Sequence, residues 1–178
     1  MEATGIECCN GLTTPTKVEA PLRTDANGSE AKRYWPNSYA SVIGIMLYLE
    51  SNTRTDTSFA VQQCDWFTNN TKASHETAAK RIFWYFQGTK YNGLVFNPSK
   101  KMAVGFYADA DFVGMWGHEN TQDPICAMSR TGSVVTFANF PILWLSKIQT
   151  NISLSTLNYE YVVLSHYVIE LLLLRSLI

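Results

Sequence analysis

The chain is short of most features that assign a protein quickly. Its 178 residues include four cysteines, Cys8, Cys9, Cys64 and Cys126. None stands at a metal-ligand spacing, and the adjacent Cys8–Cys9 pair is not a zinc hook. They read as reduced thiols of a reducing compartment. Charge is sparse and balanced, with 14 basic and 15 acidic residues and a net charge of −1. No global positive field points to a nucleic-acid partner, so any such contact has to be local. The N-terminus has no basic n-region and no apolar h-region. No signal peptide is expected, and the expected location is intracellular, cytoplasm or nucleus, not secreted. The Asn-x-Ser/Thr patterns at Asn27, Asn69 and Asn151 are then chance matches. The apolar stretch from Val162 to Ile178 is broken by Ser165, His166, Glu170 and Arg175. It is too short and too interrupted to span a bilayer, so no membrane partner is expected.

What is present is globular in character: 46% hydrophobic and 13% aromatic, enough for one or two small cores. Residues 1–37 are rich in Thr, Pro, Gly and Asn and read as a loop-like approach segment that Trp35-Pro36 closes. A first helix is predicted over Ser38–Glu50, with Ser38 as N-cap and Val42, Ile45, Met46 and Leu49 as its core face. A second is predicted over Asp56–Thr68, with Phe59, Gln63 and Trp66 at i, i+4, i+7 and Val61 and Cys64 adding bulk. A third is predicted over Lys72–Gln87, with Ala79, Ile82, Phe83 and Phe86 on one face and Gly88 as the stop. Lys72, Lys80 and Arg81 on this helix are either a solvated face or a set of phosphate contacts. His75 has no catalytic partner nearby and reads as a surface or capping residue. Leu94-Val95-Phe96 reads as a short strand.

The second half changes period. Val104, Phe106 and Ala108 alternate with Gly105, Tyr107 and Asp109, which predicts a half-buried strand over 102–109. It ends in two carboxylates on one side, Asp109 and Asp111, the donor type that suits a hard divalent cation. Val113 to Arg130 reads as a long surface connection. Strands are predicted over Gly132–Ala138 and Pro141–Ser153, the latter with Ile142, Trp144, Ser146 and Ile148 on one side. After Leu154-Ser155-Thr156 a helix is predicted to the C-terminus. The fold class is α+β: a helical region, then three antiparallel strands followed by a helix.

Several stretches resemble the Pol polyprotein of copia-type LTR retrotransposons. They are Tyr39-Ala-Ser-Val-Ile-Gly-Ile-Met-Leu-Tyr-Leu49 and Asn52-Thr-Arg-Thr-Asp56, with Thr55 where the family has proline. His75, Ala78, Lys80-Arg81-Ile82, Tyr85 and Gly88-Thr89 follow in the family's spacing. So do Tyr107-Ala-Asp-Ala-Asp-Phe-Val-Gly114, Thr131-Gly132, Trp144-Leu-Ser-Lys-Ile-Gln149 and Leu154-Ser-Thr156. The resemblance runs from about Gly5 to Ile178. It implies that residues 1–98 are the thumb-like and connection region at the end of a reverse transcriptase. Residues 102–178 would be the first half of a ribonuclease H domain.

The resemblance also implies chemistry. A ribonuclease H of this family hydrolyses the RNA of an RNA–DNA hybrid with two Mg²⁺ or Mn²⁺ ions. Its strand aspartate matches Asp109 and its helix glutamate matches Glu160, with Asp111 either a supporting acid of the loop or a further metal ligand. Lys72, Lys80 and Arg81 are the candidate contacts to the hybrid. Two departures fall beside Glu160. Asn158 replaces the glutamate of the family's capping box, at a cost of about 0.5–1 kcal/mol to the helix start. Tyr159 replaces a small alanine. The family's other two carboxylates lie beyond this helix, so the metal clamp is expected to be incomplete here. Val162, Leu164, Val168, Leu171, Leu172 and Leu174 would lack part of their packing surface. They are expected to associate with the rest of Pol or with a second copy. The Tyr-x-Asp-Asp motif of the polymerase site is missing from the sequence, so no DNA synthesis is expected.

Overall fold

The computed structural model describes residues 11–17, 22, 38–97, 102–111 and 129–149, with ten helical positions between 160 and 176. The chain divides into two compact units, Met1–Val95 and Phe96–Ile178. The first is helical and the second is built on a sheet, so the α+β expectation holds. No described helix is long and apolar enough to cross a membrane.

In the first unit α1 spans Tyr39–Asn52, opened by Ser38, whose hydroxyl accepts from the Ser41 N–H at 3.3 Å. Its buried face is Tyr39, Val42, Ile43, Met46 and Glu50. Ile45, expected in the core, is 50% exposed. The run from Val42 to Leu47 is apolar nearly all round, so spacing by itself does not select a face. A 3₁₀ turn over Thr55–Thr57 leads into α2, Ser58–Asp65. Here the expected set divides: Gln63, Val61 and Cys64 are buried as expected, but the two rings are not. Phe59 is 46% and Trp66 39% exposed, while Ala60, Val61, Cys64 and the following Phe67 are buried. The smaller side chains let α2 come close to α1: the Tyr39 hydroxyl donates to the Cys64 carbonyl at 3.0 Å. The third helix, α3, runs Ala73–Gly88 and buries Ala79, Ile82, Phe83 and Phe86 as expected. His75 does cap it, its Nδ1 accepting from the Lys72 N–H at 3.1 Å. It is not a surface residue: it is fully buried and stacks on Phe67 at 4.0 Å.

The predicted strand at Leu94–Phe96 does not form. These residues carry no strand structure, and Val95 is 83% exposed. Phe96 instead meets Phe140 edge-on at 4.7 Å within the second unit. That unit holds an antiparallel sheet of β1 (Val104–Asp111), β2 (Arg130–Phe137) and β3 (Phe140–Ile148), in the order β1-β2-β3. A two-residue turn joins β2 to β3. Ala138 and Asn139 both have positive φ, 52° and 66°, the backbone that matches strand twist in a tight hairpin. Pro141, which cannot donate to a ladder, sits in β3 next to a shift of register at Val135/Thr136.

One face of the sheet is covered along β2, while Leu143 and Leu145 of β3 on that face are exposed. Thr131, Ser133 and Val135 of β2 are buried. On the same face Phe106 and Ala110 of β1 pack against Tyr167, with the Phe106 and Tyr167 rings 5.1 Å apart. The described positions from 160 to 176 are helical. Leu164, Val168 and Leu172 there are exposed and Leu171 is half-buried. The connection over 112–128, the stretch 150–159 with its capping-box departure, and the side chain of Asp111 lie outside the described residues.

Candidate functional site

Asp109 is brought to the surface by the strand period. Phe106 and Ala110 turn toward Tyr167, so the odd-numbered Tyr107 and Asp109 turn to the other face. Asp109 is exposed, and its Oδ1 accepts from the Ala110 N–H at 2.8 Å. Across the sheet it stands opposite Gly132, which stands opposite Ser146, so no side chain crowds the carboxylate from β2. One step along, Asp111 is in register with Arg130, an opposite-charge cross-strand position. The Arg130 guanidinium donates to Ser146 Oγ at 3.3 Å.

Glu160 is also exposed. It precedes Tyr167 by seven residues, the spacing of a shared helical stripe. Tyr167 packs on the face of β1 opposite to Asp109. Among the described residues no hydrogen bond links Asp109 to Glu160, and no three His, Cys, Asp or Glu side chains gather as a metal site. The chemistry of the two carboxylates suits Mg²⁺ or Mn²⁺. Their number does not suit a two-metal clamp, so no hydrolytic step is derived from them.

The cationic residues of α3 are half-buried. Lys72 is the N-cap position of the helix. Burial pulls the Lys80 ammonium below its ordinary range, with Glu76 one turn earlier pulling the other way. Arg81 donates from Nη2 to Thr14 Oγ1 at 2.8 Å.

A constellation that reading for catalytic groups missed lies at the far end of α3. Arg54 forms a two-point ion pair with Asp56, Nε to Oδ1 at 3.0 Å and Nη2 to Oδ2 at 2.9 Å. It also donates to Thr89 Oγ1 at 2.6 Å and lies over the Tyr85 and Phe86 rings, 5.3 and 4.9 Å from their centroids. The Tyr85 hydroxyl donates to Asp56 Oδ2 at 2.5 Å. Burial pushes the Asp56 carboxyl up, but the hydrogen bonds from Arg54 and Tyr85 outweigh it and hold the group below its ordinary value. Nearby, the buried Glu50 carboxylate accepts from the Ser58 hydroxyl and from Gln62 Nε2. The signal was in the sequence: Asn52–Asp56, Tyr85 and Gly88-Thr89 are all positions of the Pol pattern. The structure gives Arg54, Asp56, Tyr85 and Thr89 a structural task. They lock the α1–α2 corner onto the end of α3.

Comparison with known proteins agrees with the motifs. The chain is 33% identical to the retrovirus-related Pol polyprotein from transposon TNT 1-94 of Nicotiana tabacum, over 83% of its own length. It is 31% identical to that from transposon RE1 of Arabidopsis thaliana, over 71%. The chain belongs to the copia-type transposon Pol polyproteins. It spans 10% and 8% of the length of those two relatives. It is also 31% identical, over 71% of its length, to secreted RxLR effector protein 161 of Plasmopara viticola, of which it spans 84%. No family model and no solved structure matches.

Proposed function

We propose that the chain carries the end of a Pol reverse transcriptase, within residues 1–98, and the start of its ribonuclease H domain, within 102–178. The family role is RNA-templated DNA synthesis and metal-dependent hydrolysis of RNA in an RNA–DNA hybrid. In this reading Asp109 and Glu160 are the chain's contribution to a Mg²⁺ or Mn²⁺ site, and Lys72, Lys80 and Arg81 contact the hybrid backbone. The observation that carries it is the exposed Asp109 on the first strand of an antiparallel three-strand sheet, ahead of a helix bearing Glu160. In this reading two acids do not make the family's two-metal clamp, and the chain by itself does not cut. The test is cleavage of an RNA–DNA hybrid in Mg²⁺ or Mn²⁺. A folded chain is expected to leave the hybrid intact. Cutting that Asp109→Asn and Glu160→Gln each abolish would show a completed site and sink the inactive reading.

One comparison favours a second reading, a non-catalytic nucleic-acid-binding or interaction protein derived from a transposon. The effector relative is matched over most of its length. Salt-sensitive hybrid binding without cleavage, unchanged by chelating Mg²⁺ and by Asp109→Asn, is the result that would select it.

A further inference from the structure

We propose that Thr14 is a phosphorylation site and that Arg81 is the receptor for its phosphate. Residues 11–17 run without helix or strand along α3. The Leu12 N–H donates to the Trp84 carbonyl at 3.1 Å. Gly11 meets Gly88 so closely that a Cβ on Gly11 would lie 2.2 Å from the Gly88 Cα. These contacts present Thr14 at the surface, exposed, with its hydroxyl on the Arg81 guanidinium.

Two independent observations point to an added phosphate. The first is local sequence. Thr14-Pro15-Thr16-Lys17 has proline directly after the hydroxyl residue and a cation at the third position after it, the pattern read by proline-directed protein kinases. Of the chain's six prolines, Pro15 alone follows a serine or threonine. The second is the state of Arg81. Nη2 has one neutral acceptor, the threonine hydroxyl, while Nε is buried and meets no acceptor among the described residues. Nε and Nη2 form one edge of the guanidinium and are built for a two-oxygen anion. A phosphate on Thr14 supplies three acceptor oxygens beside that edge.

The reaction is phosphoryl transfer from ATP by a proline-directed kinase. The Thr14 Oγ1–phosphorus bond forms and the bond from the γ-phosphorus to the bridging oxygen breaks. ADP leaves with that oxygen, and the hydroxyl proton passes to the kinase's base. The product ties residues 11–17 to α3 by a charge-assisted pair in place of a neutral hydrogen bond.

The experiment is treatment of the full chain with a proline-directed kinase and Mg·ATP. Phosphate is located by peptide mass spectrometry, and thermal unfolding is compared with and without phosphate. One phosphate is expected, on Thr14 and absent from Thr14→Val. The midpoint is expected to rise by about 4–8 °C, the shift that one added charge-assisted contact gives a unit of this size. In Arg81→Lys, which keeps the charge and loses the fork, the rise should be at most half as large. A folded chain that takes no phosphate on Thr14, while a peptide of residues 11–17 is phosphorylated, overturns the site. A phosphorylated chain with an unchanged or lowered midpoint, or an equal rise in Arg81→Lys, overturns the role of Arg81.

Discussion

At the scale of single residues, two glycines of the Pol motifs behave in opposite ways. A Cβ at Gly44, in the middle of α1, would meet nothing within 4 Å. Glycine there costs helix stability through backbone entropy, so Gly44→Ala should stabilise the chain by about 0.5–1 kcal/mol. A Cβ at Gly88 would lie 2.8 Å from the Leu12 carbonyl oxygen and 2.9 Å from the Gly11 Cα, both backbone atoms. Gly88→Ala should therefore destabilise and loosen residues 11–12. Urea unfolding of the pair reads both signs, and a stabilised Gly88→Ala would show the contact to be unimportant. Asp56 supplies a pH dependence. Its carboxyl is held below the ordinary value, so as pH falls the unfolded chain takes up the proton first. The stability it contributes is complete above about pH 4 and is lost as pH falls through the folded value. Urea midpoints measured from pH 7 to pH 2 should fall less steeply in Asp56→Asn than in the parent chain. Cys64 is the opposite case. Burial pushes its thiol up to about 12, so it should resist alkylation at neutral pH until the chain unfolds.

At the scale of elements, legibility followed amphipathicity. α3 has a clean apolar stripe, and Ala79, Ile82, Phe83 and Phe86 are in the core. α1 is apolar on most sides, so Ile45 and Ile43 could not be told apart by period. In α2 Val61, Gln63 and Cys64 are buried as their spacing suggested, but the Phe59 and Trp66 rings are exposed, since size by itself does not select the buried face. A strand is legible from alternation, but Leu94–Phe96 shows the limit. A strand exists only when a neighbouring backbone completes its hydrogen bonds, and none of the described strands does so there. The element that decides the second unit is β2, paired on both sides and buried at Thr131, Ser133 and Val135. Val135→Ala should cost about 2 kcal/mol, the transfer of two methyl equivalents plus a small cavity. The exposed Leu143→Ala, on the same face because Leu143 is in register with Val135 but out on β3, should cost under about 1 kcal/mol. Equal losses in chemical denaturation would mean that the cover over Val135 extends across β3.

At the scale of the whole molecule, a net charge of −1 makes nucleic-acid binding a local affair. If Lys72, Lys80 and Arg81 are the contacts, log K for an RNA–DNA hybrid should fall against log salt with a slope of about −2.7, from roughly 0.9 per neutralised phosphate. Replacing all three with glutamine should flatten it to near zero. A slope that the triple variant leaves unchanged would move the binding surface elsewhere.

Some of this was settled by covalent order. The sequence determined the family, the passage from helical to strand period, the helix start at Ser38 and the acid at the end of β1, because each rests on residue spacing along a single segment. The tertiary structure decided the rest, since those features depend on groups distant in the chain. Arg54 reaches Thr89 and Asp56 reaches Tyr85 because the α1–α2 corner is brought onto the end of α3. Arg81 meets Thr14 because residues 11–17 run along the same helix. Asp109 and the Tyr167 packing face were separated by the strand's alternation once Phe106 had found its partner. Period places a side chain on an element. What it meets there is set by the neighbour that buries the other side.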